Sequence, residues 1–130
     1  MIIGLGIDLV ENARMESLLA RWDERFLAKV FTPEEIATCE ARANRVASYA
    51  ARFAAKEACA KALGTGWDRD FAWKDFSVSN ETSGRPLPVL NTRLQARLAG
   101  VNIHLSLSHT EHYATALVIF EREAEKAYEL

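Results

Sequence analysis

Alternating apolar and polar positions predict strands at both ends of the chain. Residues 1–10 direct large aliphatic side chains to one face, namely Ile3, Leu5, Ile7 and Leu9. The opposite face carries Gly4, Gly6, Asp8 and Val10. Residues 103–108 alternate in the same way, and residues 113–120 are strongly apolar. A period of two is typical of strands. We therefore expect a strand over residues 1–10 and an antiparallel hairpin over residues 103–120, with its turn at residues 109–112.

A helical period predicts helices in the middle of the chain. Residues 12–30 form one amphipathic pattern. Residues 32–35 are a typical helix start, because Thr32 can cap the helix, a proline suits its first turn and Glu35 completes a capping box. Later segments are shorter. We expect a loop at 65–70, a strand at 71–78, a turn at 80–86, an edge strand at 87–90, a helix at 91–98 and a polar helical or frayed tail at 121–130.

The longest helical pattern covers residues 46–64 and ends at a glycine that is expected to form a left-handed cap. Glu57 lies near the middle of its apolar stripe, while Arg52 and Lys56 lie to one side. Burying an unpaired carboxylate costs several kcal/mol, so Glu57 should be protonated, paired or bound to a cation. Lys61 follows one turn later, in the order that favours an ion pair. The helix could serve a metal and a phosphate together, or be only a paired structural helix.

Helices grouped between strands predict an α+β fold, with an antiparallel β-sheet packed against helices and one long central helix. The chain has 130 residues, so we expect a single domain, residues 1–130. Its composition, 49% hydrophobic and 26% charged, is that of an ordinary globular protein. The net charge of −2 provides no basic field, so nucleic acid is not expected as a partner.

Cysteine usage and hydropathy favour a cytoplasmic protein. Cys39 and Cys59 lie in helical patterns without Cys-x-x-Cys or disulfide-rich spacing, so we expect buried free thiols in a reducing compartment. The amino terminus lacks the features of a signal peptide. No run approaches the ~20 apolar residues of a membrane span, so no membrane contact is expected.

Asp8 and Glu57 are the candidate metal ligands, because each carboxylate interrupts an apolar pattern on a rigid element. Hard oxygen ligands in so small a number suit magnesium, which keeps several waters and is usually completed by substrate phosphates. Lys61 could then neutralise a phosphoryl oxygen. A cap or turn role for Asp8 is the open alternative, because the proximity of the two carboxylates is inferred rather than read from the sequence.

Two further groups of polar residues allow either a functional or an ordinary role. His109 and Thr110 end a hydroxyl-rich strand and could bind phosphate, although a turn histidine is more often merely exposed. Basic side chains along the predicted helix at residues 12–30 could dock an acidic partner or form a solvated face. These side chains are Arg14, Arg21, Arg25 and Lys29.

Several segments resemble the holo-(acyl-carrier-protein) synthases, the small bacterial branch of the 4′-phosphopantetheinyl transferases. The main ones are GLGIDLV at residues 4–10, RFAAKEACAKALG at residues 52–64 and SLSHT at residues 106–110, leading into Tyr113-Ala114. FTPEE at residues 31–35 and SGRP at residues 83–86 lie between them in the family's order. The resemblance covers nearly the whole chain. Its most specific feature is a strand acid followed about fifty residues later by Lys-Glu-Ala-x-x-Lys.

The resemblance implies transfer of the 4′-phosphopantetheine group of coenzyme A to a serine of apo acyl carrier protein, in support of fatty acid biosynthesis. Adenosine 3′,5′-bisphosphate would be released. Asp8 and Glu57 match the magnesium ligands, with manganese also possible, and Lys61 matches the lysine at the pyrophosphate. These three are the expected catalytic residues, with Glu57 or a metal-held water as the base. The residues expected to bind coenzyme A are Arg52, Lys61, Gly64, Arg85, Pro86, Ser108, His109 and Thr110.

The resemblance also implies an assembly and a docking surface. Members of the family form homotrimers with active sites between subunits, so Asp8, Glu57 and Lys61 would come from one chain and His109 from its neighbour. The expected carrier-docking residues are Arg14, Arg21 and Arg25. Two other functions could use the same carboxylates or the same nucleotide site: a magnesium-dependent hydrolase of nucleotide pyrophosphates, and a non-catalytic trimeric coenzyme A-binding module.

Overall fold

Strands at the two ends of the chain pack against a helical middle, which confirms the α+β class. The computed structural model describes residues 1–64 and 71–124. Its elements in chain order are β1 (Ile2–Glu11), α1 (Asn12–Arg21), α2 (Glu24–Val30), α3 (Pro33–Glu40), α4 (Arg45–Leu63), a 3-10 turn (Trp73–Asp75), β2 (Phe76–Asn80), β3 (Pro86–Leu90), α5 (Thr92–Arg97), β4 (Val101–His109) and β5 (Tyr113–Arg122). None of the helices in the described ranges is long and apolar enough to cross a membrane.

The larger sheet is antiparallel with the strand order β1-β5-β4, and the predicted hairpin is its β4–β5 pair. One face packs against α4, where small helix residues allow a close approach. Gly6 is required for this contact, because a Cβ added there would lie 1.9 Å from the carbonyl oxygen of Ala58. Asp8 and Gly6 share this inner face, as the alternation predicts. The strand therefore brings Asp8 to the side of the sheet that α4 covers.

The smaller sheet, β2–β3, is joined to α4 by a buried ion pair. The Nζ atom of Lys56 lies 2.8 Å from Oε1 of Glu35 and donates to the carbonyl oxygens of Trp73 and Phe76 at 2.9 and 2.6 Å. Glu35 also accepts from the backbone N–H of Val78. It completes the predicted capping box of α3 as well. This pair therefore connects α3, α4 and β2 inside the core.

Several predicted boundaries are wrong. The pattern at residues 12–30 forms two helices, because the Asp23 side chain accepts from the N–H of Phe26 and begins a second helix. The strand expected at 71–78 starts only at Phe76, after the 3-10 turn. β5 continues to Arg122, into the expected tail. The loop at 65–70 and the remainder of the tail, 125–130, lie outside the described residues. That residues 1–130 form one domain therefore stays a prediction.

The outer face of the larger sheet is apolar and open. On β1, Ile3 is 44% exposed, Leu5 and Ile7 are each 61% exposed and Leu9 is 63% exposed. The neighbouring outward positions of β5 include Leu117 and Ile119, which are half-buried. We call these six side chains the outer aliphatic face. Contiguous exposed apolar surface of this kind indicates an interaction site.

Candidate active site

Lys61 brings α4 into contact with the acidic end of β1. Its Nζ atom donates to the carbonyl oxygen of Ile7 at 2.9 Å and to Oδ1 of Asp8 at 3.1 Å. The backbone of Asp8 is fixed from the other side by the hydroxyl of Thr115, which donates to the Asp8 carbonyl at 2.8 Å. The Lys61 side chain is 55% exposed and that of Asp8 17% exposed. Such an exposed ion pair contributes about 1 kcal/mol or less, so a ligand can rearrange it.

Glu57 lies one turn before Lys61 in α4 and is half-buried. The expectation that it lies within the buried stripe is wrong: the charged side chains that α4 buries are Arg52 and Lys56, which the pattern placed to one side. The side chains of Arg52 and Lys56 are long enough to reach polar partners on neighbouring elements. Glu57 remains at the partly open end of the helix, together with Lys61.

The donor set at this end of α4 fits a hard divalent cation. Asp8 and Glu57 offer carboxylate oxygens, and the ammonium group beside Asp8 shows that its surroundings accept positive charge. Within residues 1–64 and 71–124, no three His, Cys, Asp or Glu side chains form a metal-binding group. A cation held by Asp8 and Glu57 would keep coordination positions for water or substrate oxygens, which is the arrangement that magnesium prefers.

A second group of the predicted residues lines a cavity of about 380 Å³ at the amino-terminal half of α4. Four of the residues expected to bind coenzyme A lie there: Arg52, Pro86, Ser108 and His109. Lys61 and Gly64 lie elsewhere on the helix. The nine positions between Arg52 and Lys61 correspond to about 13 Å along the helix axis. Within one chain, the predicted site residues therefore form two separate groups. We call Asp8, Glu57 and Lys61 the acidic cluster, and we call the cavity the nucleotide cavity after the ligand that the family resemblance leads us to expect there.

Positive charge dominates the nucleotide cavity. Arg52 is only 2% exposed and lines the cavity together with Arg42. Burial is the main cause that lowers the pKa of the Arg52 guanidinium, and the nearby charge of Arg42 adds to the effect. The guanidinium donates to the hydroxyl of Ser48 at 3.1 Å and to Oδ1 of Asn80 at 2.8 Å. A cavity with two guanidinium groups is suited to an anion such as phosphate.

Three of the residues that were expected to bind coenzyme A stabilise a turn or end a helix. The hydroxyl of Thr110 accepts from the N–H of Tyr113 at 3.1 Å and so closes the β4–β5 turn. Gly64 ends α4 with a φ of 80°, as the left-handed cap predicts. The carbonyl of Arg85 accepts from the N–H of Glu81 and closes the β2–β3 turn. The side chain of Arg85 is exposed beside the nucleotide cavity.

The basic side chains expected to dock a carrier are all exposed, but they do not belong to one helix. Arg14 and Arg21 lie on α1, whereas Arg25 lies on α2, beyond the break that Asp23 begins. The prediction that these side chains form one continuous stripe along a single helix is therefore wrong. The three arginines line no part of the nucleotide cavity.

Sequence reasoning missed four polar residues of the cavity, namely Arg42, Asn44, Ser48 and Asn80. Two signals could have indicated them. Arg42 and Asn44 lie in the short break between two helices, where backbone groups are not satisfied within a helix. Asn80 opens a turn rich in polar residues. Neither signal identifies which side chains converge, because convergence depends on the packing of α4 against β2.

The family model described as the 4′-phosphopantetheinyl transferase superfamily matches residues 4–118. A holo-[acyl-carrier-protein] synthase of Koribacter versatilis (strain Ellin345) is 48% identical over 124 residues, covering 93% of this chain and 99% of the relative. The crystal structure of a holo-[acyl-carrier-protein] synthase from Neisseria meningitidis has a TM-score of 0.86 and 32% identity, covering 94% of this chain and 100% of that chain. The structure of such a synthase from Bacillus anthracis str. Ames in complex with CoA (3′,5′-ADP) has a TM-score of 0.80 and 33% identity, covering 95% of this chain and 99% of that chain.

Proposed function

The chain belongs to the 4′-phosphopantetheinyl transferase superfamily, and on that basis we propose that it transfers the 4′-phosphopantetheine group of coenzyme A to a serine of apo acyl carrier protein. The observation on which this proposal depends is the similarity to holo-[acyl-carrier-protein] synthases over more than nine-tenths of the chain. Adenosine 3′,5′-bisphosphate is the second product, and the modified carrier serves fatty acid biosynthesis.

The acidic cluster has the chemistry that this transfer requires. Asp8 and Glu57 would hold a magnesium ion, or manganese in its place, which supplies charge neutralisation at the pyrophosphate when bound. Lys61 leaves Asp8 to donate to a phosphate oxygen, which its weak ion pair permits. The carrier serine Oγ attacks the phosphorus next to the pantetheine, and the bond from that phosphorus to the bridging oxygen breaks. Glu57, or a water beside it, accepts the serine proton.

The nucleotide cavity is the second half of this site in our proposal. Arg52 and His109 line it, and its positive charge suits the phosphates of the adenosine end of coenzyme A. The acidic cluster lies more than 10 Å away along α4 by the helix rise. One coenzyme A molecule could join the two halves if they come from different chains.

We propose that the chain forms a homotrimer through the outer aliphatic face. Ile7 and Leu9 on that face are more than half exposed, and a second copy of the chain would remove them from water. A closed ring of three copies would place the acidic cluster of one chain beside the nucleotide cavity of the next. His109 would then act with Asp8, Glu57 and Lys61 of a neighbouring subunit.

A mass-spectrometric transfer assay tests the proposed function. Apo carrier protein, coenzyme A and magnesium should give a carrier that is heavier by about 340 Da, the mass of the transferred group expected from this phosphoryl transfer. Asp8→Asn and Glu57→Gln should each abolish the mass gain while circular dichroism shows an intact fold. Glu34→Gln, at an exposed carboxylate of α3, is the matched control and should keep full activity. Release of phosphopantetheine to water without carrier would instead identify a hydrolase.

The arginines of α1 and α2 form the carrier-docking surface in our proposal. Acyl carrier proteins are acidic, and exposed like-signed charges steer encounter with a partner of opposite sign. Reversing Arg14 and Arg21 together to Glu should raise the KM for the carrier at least about tenfold at low salt, and less at high salt because ions screen the interaction. The KM for coenzyme A should not change. An equal effect at both salt concentrations would contradict electrostatic docking.

A further inference from the structure

Two arginines of the nucleotide cavity converge on one neutral oxygen. Oδ1 of Asn80 accepts from Nη2 of Arg52 at 2.8 Å and from Nη2 of Arg42 at 3.2 Å. Among the described residues, neither guanidinium has a carboxylate within 4 Å. The Nε atom of Arg52 is buried and has no hydrogen-bond partner there. Two like charges are thus held together with no carboxylate in contact, although each would be more stable beside one. The carboxylate of Glu35 acts on Arg52 from farther away and is already paired with Lys56.

Asn80 also determines the shape of the turn above the cavity. Its Nδ2 atom donates to the carbonyl oxygen of Gly84 at 3.0 Å. Only the amide oxygen can then face the guanidinium groups, because Nδ2 is a donor like the guanidinium nitrogens. The turn is closed further by the N–H of Gly84, which donates to the carbonyl of Glu81 at 2.8 Å. One side chain therefore orients both arginines and the turn around the same cavity.

We infer that Asn80 is a positioning residue that keeps Arg42 and Arg52 together as an uncompensated pair of cations, and that this pair selects a phosphate monoester on the nucleotide end of the substrate. The inference rests on the proposed function. An amide orients the guanidinium groups without neutralising them, so their charge stays available for an anion. A carboxylate at the same position would orient them equally well but would compensate the charge that the phosphate needs.

The substitution Asn80→Asp separates orientation from charge. The new carboxylate should pair with both arginines and keep the thermal unfolding temperature, because this pairing offsets the loss of the Nδ2 donor to the carbonyl oxygen of Gly84. It should weaken binding of adenosine 3′,5′-bisphosphate at least about tenfold, measured by calorimetry on the full chain without carrier protein. Binding of dephospho-coenzyme A, whose phosphates lie only in the pyrophosphate and which carries no phosphate monoester, should weaken less. Asn80→Ala should lower the unfolding temperature, yet bind the bisphosphate more tightly than Asn80→Asp does.

If Asn80 had a purely structural role, the two variants would bind the bisphosphate in the opposite order of affinity. Affinity would then follow stability, and Asn80→Ala would be the weaker binder of the two, which would overturn the inference. Equal loss of affinity for both nucleotides in Asn80→Asp would overturn it too. Ser79→Ala, at the exposed neighbouring position of β2, is the control and should match the wild type. Because these measurements need no transfer, a failure of the wild-type chain to modify a carrier would refute the proposed function separately.

Discussion

At the residue scale, two buried side chains of α4 hold protons that are normally lost in mild alkali. Burial raises the pKa of Tyr49 from 10.0 to about 12, and it raises the pKa of Cys59 from 9.0 to about 12. In both cases the folded protein binds the proton more tightly than the unfolded chain. The resulting stabilisation is complete below pH 9 and is lost as the pH rises towards 12. Alkaline unfolding should therefore be steep in this range.

The hydroxyl of Tyr49 provides a test of this pH dependence. It is fully buried and has no hydrogen-bond partner among the described residues, so Tyr49→Phe should change the free energy of unfolding at pH 7 by about 1 kcal/mol or less. Between pH 10 and 12 the variant should lose less stability than the wild type, by about 2 kcal/mol. Urea unfolding at several pH values measures both quantities. Tyr113→Phe, at a tyrosine that is 41% exposed, should keep the wild-type pH dependence.

Residue patterns drew attention to Glu57 on α4 but did not predict which charged side chains of that helix are buried. The spacing identified Glu57 as an acid that needs a partner, and the structure gives it a half-buried position one turn from Lys61. The same pattern could not predict that Lys56 is the buried cation. Its partners, Glu35 and the carbonyl of Phe76, belong to other elements, so only the packing of α3 and β2 reveals the site.

At the scale of elements, the Lys56–Glu35 pair should be a large contributor to the stability of the α4–β2 contact. Lys56→Met removes one partner and leaves the buried Glu35 charge uncompensated, which should cost about 3–5 kcal/mol in urea unfolding. Adding Glu35→Gln removes that charge and keeps an acceptor for one of the two backbone N–H groups, those of Thr32 and Val78. The double variant should therefore be more stable than Lys56→Met. Lys74→Met, at an exposed lysine of the 3-10 turn, should be near neutral. A double variant less stable than Lys56→Met would contradict this account.

The contact between β1 and α4 depends on the absence of a side chain at Gly6. The Cβ of Gly6→Ala would lie 1.9 Å from the carbonyl oxygen of Ala58, so α4 must move away from the strand. We expect a loss of about 2–3 kcal/mol, together with lower transfer activity because Lys61 moves relative to Asp8. Gly100→Ala is the control. A Cβ added at Gly100 would lie 3.5 Å from its nearest neighbour, so the only expected cost is that of the positive φ of 76°, about 1 kcal/mol. Equal losses in the two variants would show that the close approach is not limiting.

Alternation along β1 predicted the two faces of the strand but not their surroundings. Gly6 and Asp8 lie on one face of the strand, and that face packs on α4. The opposite face, with Ile7 and Leu9, has the more apolar pattern and yet is the one left open. A periodic pattern cannot distinguish a face that is covered by the same chain from one that another copy covers. The alternation likewise gave no information on the separation of the acidic cluster and the nucleotide cavity. The expectation that Asp8, Glu57 and Lys61 come from one chain and His109 from its neighbour rested on the family resemblance.

At the scale of the whole molecule, mixing two inactive variants tests whether the site is shared between chains. Asp8→Asn disrupts the acidic cluster, whereas His109→Ala disrupts the nucleotide cavity. In randomly mixed trimers, about a quarter of the interfaces would pair an intact acidic cluster with an intact cavity from the next chain, so about a quarter of wild-type transfer should return. Co-expression of the two variants followed by the mass-spectrometric assay measures this.

A mixture of Asp8→Asn with Glu57→Gln is the matched control and should stay inactive, because both substitutions damage the same cluster. Absence of recovery in the first mixture would show that each chain completes its own site.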